Sequence, residues 1–215
     1  MEKQVSYNVT KTYTTLNELT DKTRYVWIVL HGIGYLSRYF LKYFDGLPSD
    51  ENYIIAPQAP SKYYLDKKYK YVGASWLTKE DTALETGNVL AYLDMVYKAE
   101  KIPSRCRLII FGFSQGVSIA ARWVAKRKLK CDHLVLYAGE IPHELTRDDF
   151  KFTGHDRTKI TIIVGNKDEY LTEQRLKNIS ERIQSVFEGR ADQLVFEGGH
   201  EVKKEIINKL NPSIC

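Results

Sequence analysis

Short apolar runs recur along the chain, and each ends at a glycine, a proline or a polar turn. Tyr25–Leu30 ends at His31-Gly32, residues 53–56 at Pro57, and residues 108–111 at Gly112. His133–Tyr137 ends at Ala138-Gly139, residues 160–164 at Gly165-Asn166, and residues 193–196 near Gly198-Gly199. The runs are continuous rather than alternating, which is how strands covered on both faces of a parallel sheet read. Between them the apolar positions change to helical spacing. Leu84, Val89, Leu90, Leu93, Val96 and Tyr97 mark a helix over about 81–99, and Leu176, Ile179, Ile183, Val186 and Phe187 mark another. A third helix follows Ser114 and a short one follows His200. This alternation predicts an α/β fold with a mostly parallel, doubly wound central sheet and helices on both faces. Residues 5–9 and 12–16 alternate instead, and they predict two antiparallel edge strands that pair with each other.

No repeat, low-complexity tract or linker interrupts this pattern, so residues 1–215 read as one domain. Hydrophobic residues at 43% and charged residues at 27% exclude a disordered chain. No apolar run approaches the roughly 20 residues of a membrane span. The Met1-Glu2-Lys3-Gln4 start has no secretory-signal pattern, and stable membrane insertion is not expected. Lys67-Lys68-Tyr69-Lys70 and Arg122 with Lys126-Arg127-Lys128 and Lys130 concentrate the net charge of +5. No zinc-finger spacing, aromatic RNA-binding signature or basic tail accompanies them. They read as solvated helix ends and loops, with no nucleic-acid partner expected. Cys106, Cys131 and Cys215 are far apart and form no C-x-x-C pair. That spacing argues against a disulfide framework or a zinc site and predicts a reducing, cytoplasmic setting without a bound metal.

The chemistry concentrates after the run at 108–111. Gly112-Phe113-Ser114-Gln115-Gly116 fits G-x-S-x-G and opens a helix rich in small residues. A strand–serine–helix turn of this kind is tight, needs glycines where side chains would collide, and lifts the hydroxyl to the carboxyl edge of the sheet. A serine nucleophile requires a base, and the base requires an orienting acid. His133, His143, His155 and His200 lie downstream. His200 follows the last strand through Gly198-Gly199 and precedes the final helix, where this architecture places its base. Asp168 lies at the carboxyl end of the 160–164 run, with Glu169 as adjacent competitor. Asp156 and Asp192 stand at the wrong ends of their strands. Oxyanion donors are expected from the backbone N–H of Gln115 and, in the His31-Gly32-Ile33-Gly34 loop, of Ile33. His31 reads as structural.

Together with Ser75-Trp76-Leu77, Gly139-Glu140-Ile141-Pro142 and Gly165-Asn166-Lys167-Asp168-Glu169, these segments make the chain resemble the phospholipase/carboxylesterase branch of the α/β-hydrolases, which includes acyl-protein thioesterases. The resemblance spans residues 25–210 and implies a cofactor-free serine hydrolase acting on small-molecule carboxylic esters or thioesters. It carries over Ser114, Asp168 and His200 as triad, Ile33 and Gln115 as oxyanion donors, and Trp76 as a pocket residue. Tyr35 stands where the family's first loop has an acidic residue, and Val117 where the elbow has a second glycine.

Tyr35, Trp76, Phe113 and the Tyr63/Tyr64 pair are candidates for lining an apolar groove. Residues 58–78 form an oddly long, Tyr/Lys-rich connection, either a lid or a surface excursion with a short helix. The stretch between Ile141 and Lys159 is too short for a cap domain, which predicts an open, shallow site. The competing function is a catalytically inactive hydrolase scaffold that binds a ligand or partner, because a fold alone does not establish activity. A peptidase or a dienelactone-type hydrolase is the rival among enzymes. The chain is expected to be a monomer or homodimer.

Overall fold

A computed structural model describes residues 1, 3–155, 157–170 and 172–210. Asp156 and Cys215 lie outside the described residues. In chain order the strands and helices are β1 (Tyr13–Leu16), β2 (Tyr25–Leu30), α1 (Ser37–Phe40), β3 (Asn52–Pro57), β4 (Ser61–Tyr64), β5 (Val72–Ser75) and α2 (Thr82–Glu100). Then follow β6 (Arg107–Phe113), α3 (Gln115–Arg127), β7 (His133–Tyr137), α4 (Lys151–His155), β8 (Lys159–Gly165), α5 (Glu173–Phe187), β9 (Ala191–Phe196) and α6 (Lys204–Leu210).

Seven strands form one sheet in the order β1-β3-β2-β6-β7-β8-β9. Every neighbouring pair is parallel except β1 with β3. The continuous runs are therefore the central strands, and alternate residues of each feed two cores. Val26, Ile28 and Leu30 of β2 join α2, α3 and α5 on one face, while Tyr25, Trp27 and Val29 join α1 and α6 on the other. This is the mostly parallel α/β sheet that the sequence pattern predicts.

Five expectations are corrected. Residues 5–9 form no strand, and Val5, Tyr7 and Val9 are exposed. The segment at 13–16 pairs antiparallel with β3, with Tyr13 opposite Pro57. Alternation marks a half-covered segment but does not name its partner, which is distant in sequence. The run at 193–196 is not covered on both faces: β9 is a sheet edge, and Val195 is 63% exposed. Leu84 and Leu176 are exposed at the first turns of their helices. The Tyr/Lys-rich connection contains no helix; β4 and β5 pair as an antiparallel hairpin, Ser61 opposite Ser75.

Helix α3 approaches the end of β2 so closely that an ideal Cβ on Gly116 would stand 2.0 Å from the Leu30 carbonyl oxygen. Both contacting groups are backbone in regular elements, so neither can step aside. Gly116→Ala is expected to cost about 3 kcal/mol or more through overpacking, read as a fall in the urea midpoint. Gly87, inside α2 with nothing within 4 Å of its added Cβ, is the contrast. Gly87→Ala is expected to stabilise by about 0.5–1 kcal/mol because alanine loses less backbone entropy in a helix.

Candidate active site

Strand β6 runs straight into Ser114, and α3 starts at the next residue. Ser114 has φ 53° and ψ −118°, a backbone region that non-glycine residues occupy only when their surroundings enforce it. Three contacts enforce it. The Ser114 N–H donates to the Tyr137 carbonyl at 2.9 Å. A Cβ on Gly112 would lie 2.5 Å from the Gly116 carbonyl oxygen, and one on Gly139 2.4 Å from that of Ser114. Side chains are thus excluded around the turn, and the Ser114 hydroxyl stands at the mouth of a cleft.

His200 Nε2 is 2.8 Å from Ser114 Oγ, and His200 Nδ1 is 2.7 Å from Asp168 Oδ2. The carboxylate accepts from Nδ1–H, which leaves Nε2 as the acceptor facing the serine hydroxyl. Asp168 is buried, its side chain 2% exposed against 19% for His200, so this carboxylate has little water to compete with the imidazole. Its other oxygen accepts the Tyr170 N–H at 2.9 Å. Glu169, the competitor, accepts the His200 backbone N–H at 3.4 Å and makes no hydrogen bond to the imidazole. The glycines explain how the two loops meet. Gly165 lies against Gly198, where a Cβ would be 2.4 Å from the carbonyl oxygen. Lys167 N–H donates to Gly198 O at 2.8 Å, and Gly198 N–H to Asn166 Oδ1 at 3.1 Å. The imidazole is held between the Phe113 ring at 5.2 Å and the Tyr170 ring at 4.9 Å.

On the other side of Ser114 lies the His31–Gly34 loop. An added Cβ on Gly32 would be 3.2 Å from Ser114 Cβ, so this backbone lies against the serine. Strand β5 and the two residues after it hold both loops at once. Gly34 N–H donates to Ala74 O at 2.9 Å, and the Trp76 indole N–H to His31 O at 2.8 Å. The Gln115 carboxamide accepts from Trp76 N–H at 2.8 Å and donates to Leu77 O at 2.7 Å. Among the described residues, neither the Ile33 nor the Gln115 backbone N–H has an acceptor. Two uncommitted donors flanking a serine are what an oxyanion requires.

Ile33, Tyr35, Phe113, Ser114, Gln115, Asp168 and His200 all line one cleft of about 560 Å³. Trp76 does not. It is 1% exposed, packed beside His31 beneath the loop, and its role is to hold the cleft rather than to line it. Its indole N–H needs a buried acceptor and finds one inside the protein. The Ser75-Trp76-Leu77 motif is thus a clamp on Gln115. The sequence reading missed Tyr170, Gly139, Glu140 and Ile179, which also line the cleft. Tyr170 had a signal, since it stands two residues past the acid on the same turn. Ile179 reads as an ordinary helix core position.

Three other histidines are elsewhere, and the side chain of His155 lies outside the described residues. His31 is fully buried; Nδ1–H donates to Gly32 O at 2.8 Å and Nε2 accepts the Ala59 N–H at 3.2 Å. His133 is buried at the start of β7 beside Thr161 Oγ1, at 2.8 Å. His143 is exposed. Among the described residues no three His, Cys, Asp or Glu side chains could together hold a metal ion, and no helix is long and apolar enough to cross a membrane. In the basic cluster on α3, Arg122 pairs with Glu144 and Arg127 with Asp94.

Residues 50–207 match the family model of the serine hydrolase (FSH1) family. The chain belongs to this family. No curated protein matches it in sequence. Among solved structures, acyl-protein thioesterase 2 from Zea mays is similar with a TM-score of 0.70 at 14% identity, over 94% of this chain and 96% of that one. A phospholipase/carboxylesterase from Dyadobacter fermentans gives 0.65 at 20% identity, over 96% and 98%. A carboxylesterase from Bacillus cereus gives 0.64 at 16% identity, over 94% and 92%. At these identities the likeness establishes the α/β-hydrolase fold. The chain is thus a serine hydrolase on that fold, in line with the resemblance drawn from its motifs.

Burial holds the pKa of His31 and of His133 down to about 4, from 6.5. An unfolded chain takes up both protons as pH falls through 6.5, while the folded chain does not until about 4. Stability is therefore expected to fall between those values, by up to about 3 kcal/mol for each histidine, and to level off below. Urea midpoints measured across that window check this. His133→Gln should flatten the slope by about half.

Proposed function

We propose that the chain hydrolyses carboxylic esters through an acyl-enzyme, with Ser114 as nucleophile, His200 as general base and acid, and Asp168 as the orienting carboxylate. The observation that carries this is the continuous relay of 2.7 Å and 2.8 Å from Asp168 through His200 to Ser114. His200 Nε2 takes the hydroxyl proton as Oγ attacks the acyl carbon. Negative charge moves to the carbonyl oxygen, where the Ile33 and Gln115 N–H groups receive it. His200 then gives its proton to the leaving oxygen, and water repeats the cycle on the acyl-enzyme. Thioesters fit the same sequence of steps, with sulfur leaving. The reaction needs no cofactor, the substrate is a small molecule, and the chain works as one domain of residues 1–215.

The alternative of an inactive scaffold finds no support in this geometry. Scaffolds have no reason to keep a strained serine backbone, a buried acid and two uncommitted donors in register. Ser114→Ala is expected to lower kcat on a short p-nitrophenyl ester by on the order of 10⁶. A fluorophosphonate probe should label the parent and not the variant, and retention of most activity by Ser114→Ala would sink the assignment. Trp76→Phe keeps an aromatic ring, smaller than the indole, and removes the N–H that holds the Ile33 loop. It is expected to lower kcat about tenfold with KM nearly unchanged, because the donors matter most when charge has developed. A raised KM with unchanged kcat would instead make Trp76 a pocket residue.

A further inference from the structure

The sheet ends at β1 with a bare edge, and the chain that leads into this edge has the sequence of a strand. Eight of the eleven residues 5–15 are valine, threonine or tyrosine, and none is glycine or proline. Linkers are built the other way, from Gly, Ser, Pro and charges. Val5, Tyr7 and Val9 are 89%, 79% and 57% exposed, and Tyr13 and Thr15, at the same parity in β1, are exposed as well. Among the described residues, no backbone group of residues 3–11 has a backbone partner. The arm is anchored where it meets the sheet, since Thr12 O accepts the Gln58 N–H at 3.3 Å and the Tyr92 hydroxyl at 2.8 Å. A bare edge continued by a β-prone arm is a template for one more strand.

We propose that residues 4–16 join two copies of this chain, edge to edge and antiparallel, about a twofold axis at Thr10. The segment is close to self-complementary about that point. Tyr7 then faces the partner's Tyr13, Ser6 the partner's Thr14, Asn8 the partner's Thr12 and Val5 the partner's Thr15. Aromatic pairs and hydroxyl pairs of this kind are the cross-strand contacts that stabilise antiparallel sheets. Lys11 is the only charged residue of 4–16 and faces the partner's Val9, so no like charges are opposed. Centring the pair on Lys11 would set the two lysines against each other, and centring it on Val9 would shorten the overlap. The axis stands perpendicular to the sheet, so odd positions of both copies share one face. The exposed valines and tyrosines of two such strands, with their backbone, bury on the order of 1,000 Å², enough for a specific interface. The other bare edge, β9, is no substitute. Pairing β1 of one copy with β9 of the next leaves an open end at each step and grows a fibre, whereas the twofold pairing closes. The axis also reverses strand direction. The two clefts therefore open at opposite edges of a joined sheet of twice seven strands, and β1 is three strands away from β6 in each copy.

Sedimentation equilibrium of the full chain tests this. The mass should reach twice that of one chain by about 100 µM, above the micromolar range of weak specific interfaces. Deleting residues 3–9 should leave a monomer with the parent's kcat and urea midpoint, because these residues line neither the cleft nor the core. Thr10→Cys in a Cys215→Ser background reads the register. Residue 10 meets its own copy on the axis, within the ~4.4–6.8 Å between Cα atoms that a disulfide needs, so mild oxidation should link two chains. Asn8→Cys in the same background should not link, because its two copies stand four positions out of register, about 14 Å apart. Cys106 and Cys131 are buried and do not compete. A parent that stays monomeric, a mass that keeps rising past the dimer, or a dimer that survives the deletion overturns the proposal. So does linking at position 8 as strong as at position 10.

Discussion

The contact between Gly116 and the end of β2 is the constraint on which the site depends. With the Gly116 Cβ position 2.0 Å from the Leu30 carbonyl oxygen, helix α3 can start only if residue 116 has no side chain. That close approach pulls the first turn of α3 over the end of the sheet. Ser114 is then forced to positive φ, and its hydroxyl and the Gln115 N–H emerge on the same edge as the loop after β2. Gly112 and Gly139 remove the two other side chains that would push the turn away. Strain at one residue is thus sustained by three close backbone approaches, each of which a methyl group would block.

Precision on the two sides of Ser114 comes from different physics. On the His200 side, backbone hydrogen bonds staple the 165–168 turn to the 198–200 turn, and aromatic faces fix the imidazole plane. On the Ile33 side, a buried polar network fixes the loop. Trp76, Gln115, Ser75 and His31 share their donors and acceptors with backbone, through bonds of 2.7 to 2.8 Å. Such a network is costly to leave half made. That cost explains why His31 stays neutral under the loop: a proton on Nε2 would evict the Ala59 N–H and place a charge in the core. The same residue type at position 200 is partly exposed and faces a carboxylate.

The sequence was informative where chemistry and close packing leave the same mark. A serine between glycines, an acid after one strand and a histidine after the next are local signals, and their spacing along the strand order brings them to one edge. The central strands were legible for the same reason, since burial on both faces leaves a continuous apolar run. Features that depend on distant neighbours were not legible. The run at 193–196 looks like the others but has a partner on one side only. Residues 5–9 look like a strand but find no partner within the chain. Trp76 sits in a motif, and a motif says that a residue matters without saying which way its side chain points.

The two faces of the sheet also divide the labour. On the α1/α6 face, Phe40, Phe44, Phe111, Phe113 and Tyr137 interlock ring against ring, at centroid distances of 5.2 to 6.3 Å. This packing leaves no room for alternatives, and it supports Phe113 beneath His200. On the opposite face, α5 stands off β8 far enough to leave an isoleucine-walled space, while Arg182 keeps the facing loop in place. Of the α5 side chains there, Ile179 also lines the cleft with Ser114 and His200, whereas Ile183 lines only the space beside it. The Ser114 turn is fixed by backbone contacts that tolerate no side chain, whereas the wall that α5 presents to the cleft is made of a side chain, Ile179.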